Sequence, residues 1–327
     1  MMVDLAMLLG GLVLVVKGGD WFVAAATRIA EFLRMPRVVI GSTLVSLATT
    51  TPELVVSVTA GIKGEAGLAV GNAVGSVLCN IGLVLGVTAA IKHVDIHWRA
   101  LRVPLLVMIG LGVLVFLLSL DQRLARAQGA LLLALGAGYF ILDFVRTYRD
   151  RKPEDLMEAE AIEKEVQAAA RFLETKTGAA VQFITGALVV VLGSRLLVDG
   201  AVSVAGKLGI PSIVVGLTVV AVGTSLPELV TAITSARKQV SDLSVGNVLG
   251  ANIANLTLIL GAAAVFQDIA VNRATLWFNL PAMLAMMLLL AVFLRSDRRV
   301  SRREGLALMM LYGLYLAGVV LLTLAAR

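Results

Sequence analysis

Two glutamates, Glu53 and Glu228, stand where a carboxylate is expensive. Glu53 is the only ionised side chain between Val38 and Ala60. Each glutamate closes a short polar cluster, ATTTPE at residues 48–53 and GTSLPE at residues 223–228. On a helix, Thr49 and Thr50 fall four and three residues before Glu53 and share its face, and Thr224 and Ser225 stand in the same relation to Glu228. Pro52 and Pro227 each remove a backbone N–H and clash with the carbonyl four residues earlier, that of Ala48 or Gly223. A helix broken there frees carbonyl oxygens beside the hydroxyls and the carboxylate. At membrane depth such backbone is tolerated only where it lines a cavity or binds something.

The next apolar stretch carries Asn72, Ser76 and Asn80 at four-residue spacing, hence on one face, with Gly71 and Gly75 allowing a close neighbour. The second copy reads Asn247, Ala251 and Asn255. Hydrogen bonding between helices is the plain structural reading of any one of these asparagines. A protonated glutamate bonded to a carbonyl is that of either carboxylate. The set as a whole is oxygen-rich and contains no histidine or thiolate. Hard cations take such ligands, and Ca²⁺ takes six to eight oxygens. Two carboxylates balance one Ca²⁺, and several Na⁺ ions could occupy the same oxygens in turn. One site that accepts either ion, but not both, is the physical basis of exchange.

The elements that position these residues are membrane helices. The chain has 327 residues, 59% hydrophobic and 15% charged, with a mean hydropathy of +0.93, against about 25% charged in a soluble domain. Apolar runs of spanning length recur throughout. They leave too little polar sequence to coat a soluble enzyme. Spans are expected at 5–28, 37–62, 66–91, 103–120, 128–146, 179–204, 211–236, 242–266, 274–294 and 304–325. The N-terminus lacks a basic n-region and a cleavage site, so it reads as the first span. The polar stretch 147–178 separates the fifth span from the sixth, and its second half has a helical polar pattern. Its acidic residues, from Glu154 to Glu165, lack EF-hand spacing and read as a solvated helix face. The lone cysteine, Cys79, excludes an intramolecular disulfide and a cysteine-based metal cluster, and reads as a packing residue.

A repeat underlies this layout. Shifted by 175 residues, Pro36–Gly86 aligns without a gap on Pro211–Gly261, with 21 of 51 pairs identical. Glu53 pairs with Glu228, and GNAVGSVLCN (71–80) with GNVLGANIAN (246–255). Each copy begins a unit of five spans. Five is odd, so the second unit enters the membrane from the opposite side, an organisation common in secondary transporters. Of the 28 lysines and arginines, 20 lie in the loops that follow odd-numbered spans, six in the opposite loops and termini, and two, Lys17 and Arg195, within spans. The bias places both termini outside and the central loop in the cytoplasm. Scattered over short loops, the net charge of +6 reflects topology rather than nucleic-acid binding. The expected fold is therefore an all-α integral membrane protein of ten transmembrane helices. It comprises two inverted five-helix repeats (1–146 and 179–327) around the loop 147–178, with discontinuous helices at a central ion site.

GSTLVSLATTTPE with GNAVGSVLCN, and GLTVVAVGTSLPE with GNVLGANIAN, resemble the two α-repeats of the cation/calcium exchanger superfamily, most closely its prokaryotic sodium/calcium exchangers. The resemblance spans the whole layout. It implies Na⁺-driven Ca²⁺ movement by alternating access, in which the first two spans of each unit slide against an ion-holding core. It places ligands on Thr49, Thr50, Glu53, Ser76 and Asn80, and on Thr224, Ser225, Glu228 and Asn255, with backbone oxygens from Ser46 and Ala221. The transported ions are its substrates, with no cofactor and no obligate protein partner besides the lipid bilayer, and the protein is not an enzyme. The membrane is expected to be the plasma or inner membrane. Three positions depart from the family pattern. Ala251 replaces a serine that usually supplies a Na⁺ ligand, Asn255 stands where many relatives have an aspartate, and Val77 replaces an asparagine. The proton-coupled branch has a glutamate where this chain has Gly75 and Gly250. A H⁺/Ca²⁺ antiporter is nevertheless one alternative, and a cation channel using the same glutamates is another. An intramembrane enzyme finds no H-E-x-x-H, and an ATP-driven pump finds no Walker A sequence. Asp20, Lys17, Asp199 and Arg195 read as interfacial or paired residues.

Overall fold

The computed structural model describes residues 2–32, 47, 49–95, 98–149, 175–237, 241–296 and 299–325. Within these the chain is helical apart from two short β ladders. Helix α1 covers Met2–Phe32 and α2 covers Thr51–Ile62. Helix α3 runs over Ala66–Cys79, passes through a π turn at Asn80–Leu85 and ends as Gly86–Ile91. After β1 (Val94–Asp95) come α4 (Trp98–Leu118), β2 (Arg123–Leu124) and α5 (Arg126–Arg149). The second half has α6 (Lys176–Leu208), then α7 (Ser212–Val215, a π turn at Gly216–Val220, and Ala221–Thr224) and α8 (Leu226–Arg237). Helix α9 follows (Ser241–Ala254, a π turn at Asn255–Ile259, and Leu260–Phe266), then β3 (Ile269–Ala270). Helix α10 (a π turn at Thr275–Asn279, then Leu280–Ser296), β4 (Arg299–Val300) and α11 (Arg302–Ala325) complete the chain.

Eight of these stretches are long and apolar enough to cross a bilayer, and two shorter apolar helices, Thr51–Ile62 and Ser212–Thr224, accompany them. The chain is a multi-pass, all-α membrane protein. The expected span 37–62 begins outside the described residues, and α2 is its described end. The expected span 211–236 is two helices that meet at Ser225. The helix expected in the second half of 147–178 also lies outside the described residues.

The two proline-linked breaks are near copies of each other. Thr50 has φ −83° and ψ 1°, and Ser225 has φ −84° and ψ 7°. Each residue leaves helical geometry two positions before its proline, where the ring would otherwise meet the preceding turn. The π turns of α3 and α9 are also matched, since they begin at Asn80 and Asn255, 175 residues apart. These two helices form the centre of the molecule: 78% and 83% of their most apolar windows are buried, against at most 39% for the other candidate spans.

Small residues let the helices approach this closely. Helices α1 and α6 lie antiparallel, with Gly11 and Gly18 facing Gly186, Gly193 and Gly200 at seven-residue spacing. A methyl group at Gly18 would stand 2.8 Å from the Val190 nitrogen, and one at Gly193 2.8 Å from the Val15 nitrogen. On α3, a methyl at Gly75 would lie 2.8 Å from the Ala221 Cβ, so α3 can press its polar face against α7 only with glycine there.

The ladders tie distant loops together. β1 pairs antiparallel with β4 (Val94 with Val300), and β2 with β3 (Leu124 with Ile269). The second ladder carries Asp268, which accepts the Arg126 backbone N–H at 2.9 Å and pairs with the Arg123 guanidinium. The four charged residues noted within spans resolve as follows. Lys17 pairs with Asp20 at 3.7 Å, and Asp199 with Lys63 at the end of α2. Arg195 has no carboxylate partner among the described residues.

Candidate cation site

Glu53 lies in the first turn of α2 and Glu228 in the first turn of α8, each just past its helix break, and both are fully buried. Ser225 of one break donates to Glu53 Oε1 at 3.3 Å. The Thr49 hydroxyl lies beside the Glu228 carboxyl, without closing a hydrogen bond to either oxygen. Each carboxylate is thus met by a hydroxyl from the opposite break.

The surrounding amides divide into two groups. Asn72 is scaffold. Its Nδ2 donates to the Glu53 carbonyl at 3.2 Å and to Ser57 Oγ at 2.9 Å, and its Oδ1 accepts Thr224 Oγ1 at 3.2 Å. It therefore ties α2, α3 and α7 at one point. Asn80 and Asn255 instead keep an oxygen in reserve. Asn80 Nδ2 donates to Asn252 Oδ1 at 3.1 Å, and Asn255 Nδ2 to the Ala251 carbonyl at 3.0 Å. In both, the NH₂ is spent on protein and Oδ1 is buried with no hydrogen-bond partner.

Those two oxygens are not alone. Glu53 Oε2, both carboxylate oxygens of Glu228 and Ser76 Oγ are likewise buried and unpartnered. A buried polar atom left without a partner costs about 1–3 kcal/mol, and more when charged. Six such oxygens, two carboxylates among them, are of the hard type that Ca²⁺ and Na⁺ take as ligands. Among the described residues no three of histidine, cysteine, aspartate and glutamate cluster. The oxygens are therefore those of two acids, two amides and a hydroxyl, a donor set suited to Ca²⁺ or Na⁺ rather than to a thiophilic metal.

The family model described as sodium/calcium exchanger protein matches residues 3–145 and 178–321. The chain belongs to the sodium/calcium exchanger family. The sodium/calcium exchanger MaX1 of Methanosarcina acetivorans is 33% identical over 341 aligned positions, covering 96% of this chain and 97% of that protein. The inner membrane protein YrbG of Escherichia coli is 35% identical over 81% of this chain and 80% of its own length. Among solved structures, the sodium-calcium exchanger NCX_Mj soaked with Na⁺ and Sr²⁺ superposes with a TM-score of 0.66 at 29% identity, covering 97% of this chain and 98% of that one.

Within this exchanger family member, Thr49, Thr50, Glu53, Ser76, Asn80, Thr224, Ser225, Glu228 and Asn255 are all buried. Ser46 lies outside the described residues. The Ala221 carbonyl already accepts the Ser225 N–H at 3.1 Å and Thr224 Oγ1 at 3.4 Å, so it is less free than the motif alone suggests. Asn252 is not available to make up for the hydroxyl missing at Ala251, because its oxygen accepts from Asn80 and its Nδ2 donates to Met108 Sδ at 3.5 Å. Sequence reasoning missed Asn252 and Ser57 as supports. The signal for Asn252 was present: it is a polar residue in the central helix whose repeat partner, Val77, is apolar. Cys79 is buried, as a packing residue should be.

Proposed function

We propose that this protein exchanges Na⁺ for Ca²⁺ across a cell membrane at one central site that opens alternately to the two sides. The observation that carries this reading is the six buried oxygens of Glu53, Glu228, Ser76, Asn80 and Asn255 that have no hydrogen-bond partner. The first ligands are the two carboxylates, Ser76 Oγ, Asn80 Oδ1 and Asn255 Oδ1. Thr49, Thr50, Thr224 and Ser225 flank them, with the backbone oxygen of Ser46 in the shell and that of Ala221 available only where its two hydrogen bonds yield. Two carboxylates neutralise one Ca²⁺ but not three Na⁺, so a cycle with three Na⁺ moves net charge.

The site is read as the meeting point of two inverted five-helix units, residues 1–146 and 179–327, joined by a cytoplasmic loop at 147–178, with both termini outside. Several contacts support that arrangement. In a ten-span layout, β1 and β4 lie in loops after the third and ninth spans, on one side, and β2 and β3 after the fourth and eighth, on the other. The ladders pair β1 with β4 and β2 with β3, never across sides. The Lys63–Asp199 and Asp4–Lys207 ion pairs likewise join residues that the layout places on the same, outer side. The two stretches matched by the family model fall on the two units. Both the inner-membrane setting and the exchange activity agree with the names of the relatives.

The test is ⁴⁵Ca²⁺ uptake into proteoliposomes under imposed Na⁺, K⁺ or pH gradients. Uptake is expected to require an outward Na⁺ gradient and to respond to membrane potential. Uptake driven by a pH gradient with no Na⁺ present would replace this reading with the proton-coupled one.

A further inference from the structure

Between α2 and α6 lies a cavity of about 630 Å³, well within the range of ligand pockets. Its walls are mostly aliphatic, with Leu54, Val55, Val58 and Ile62 on α2 and Val191 on α6, joined by Thr59 one turn before Lys63. It does not belong to the cation site. The glutamates and their neighbours are fully buried, whereas this groove is bordered by exposed apolar side chains. Ile62 is 65% exposed, and Leu192, one residue from Val191, is 57% exposed. In a membrane protein such surface faces acyl chains.

The polar features of the groove sit at one end. Lys63 caps α2, where the chain turns into α3, and so marks the bilayer surface. Val191, Arg195 and Asp199 follow one another at four-residue spacing on one face of α6. Asp199 is taken by Lys63 at the mouth. Arg195, about 6 Å deeper along the helix axis, lines the groove without a carboxylate partner among the described residues. The mouth therefore carries two cations and one anion, above an apolar slot. A guanidinium one turn below a membrane surface is relieved by reaching the interface or an anion there, and the phosphate of an anionic lipid is such an anion.

We propose that the α2–α6 groove binds an anionic glycerophospholipid, with its phosphate on Arg195 and Lys63 and one acyl chain along Val191, Val58 and Leu54. The occupant would lie against α2, the helix that carries Glu53, outside the ion site itself. The charge of the mouth selects the headgroup, and the slot selects a lipid over a free anion.

Native mass spectrometry of the whole protein, incubated with an equimolar mixture of phosphatidylglycerol and phosphatidylcholine, tests this. One phosphatidylglycerol is expected to be retained in at least tenfold preference, and millimolar inorganic phosphate is not expected to displace it. Arg195→Gln should abolish the preference, and Val58→Trp, which fills the slot but keeps both cations, should abolish retention. Size-exclusion elution as for the parent shows that each variant is folded. If Val58→Trp fails that check, Arg195→Gln alone decides. Equal retention of the two lipids by the parent, an unchanged preference in Arg195→Gln, or displacement by phosphate overturns the proposal.

Discussion

Asn80 and Asn255 occupy matching places 175 residues apart, each at the start of a π turn in a central helix, yet they are held differently. Asn80 is oriented from across the molecule by Asn252, which is itself bonded to Met108. Asn255 is oriented within its own helix by the Ala251 carbonyl. The sequence reason is that Asn252 is paired in the repeat with Val77, so only one half can supply a cross-helix amide. The same asymmetry recurs nearby, where Ser57, which accepts from Asn72, is paired with Ala232, and Ser76 with Ala251. The carboxylates and breaks are duplicated, while their supports have diverged. The proposed exchange site would need both charges for Ca²⁺ but not two identical hydroxyl and amide sets.

The largest effect should come from what the halves share. Glu53→Gln and Glu228→Gln are each expected to reduce Na⁺-dependent ⁴⁵Ca²⁺ uptake by about 100-fold or more, since a ligand to a charged group is worth about 1.5–3 kcal/mol and a divalent ion depends on both. Parental uptake in either correctly inserted variant would show that the duplicated carboxylates are structural.

A smaller loss should expose the divergence. Asn252→Val makes position 252 match Val77 and frees the Asn80 amide to rotate, which should weaken apparent Ca²⁺ affinity about tenfold, the worth of a lost hydrogen bond near charge. Val77→Asn should bring no matching gain, because Asn255 is already held by its own helix. A KM series on both variants distinguishes these outcomes, and equal effects would mean that the asymmetry is incidental.

The hydroxyl difference should act mainly on Na⁺. Ala251→Ser is expected to raise apparent Na⁺ affinity by up to about tenfold with less effect on Ca²⁺, whereas Ser76→Ala should weaken Na⁺ and weaken Ca²⁺ less. Na⁺ titrations of exchange with Ca²⁺ competition measure this. An unchanged Na⁺ dependence in Ala251→Ser would place position 251 away from the ions.

The smallest effect concerns the ladders. At the second ladder the Arg126 backbone N–H, and then the Arg123 guanidinium, hold the Asp268 carboxyl below its ordinary pKa. In the repeat, the first ladder has His93 at the matching position. A lowered folded-state pKa means that the stabilisation is present above the unfolded value of about 3.9 and is lost as pH falls through the lower folded value. Asp268→Asn should therefore lower Tm slightly at neutral pH, and the gap from the parent should close in strong acid. A Tm gap that persists below the folded pKa would assign the effect to packing instead.

The all-α, multi-pass class was legible in the sequence because the bilayer imposes it. Span length, the cost of a buried carboxylate and the steric effect of Pro52 and Pro227 are local properties, and the 175-residue repeat needs only a comparison of the chain with itself. The same local rules marked Gly71 and Gly75 as contact points. Tertiary structure alone decided which oxygens remain available. Asn72, Asn80, Asn247, Asn252 and Asn255 are chemically identical residues in related helices. Whether an amide spends its oxygen on Thr224, as Asn72 does, or keeps it, as Asn80 does, depends on which helix lies opposite. No spacing rule encodes that partner, because a hydrogen bond is set by direction and distance between side chains that lie, for Asn80 and Asn252, 172 residues apart.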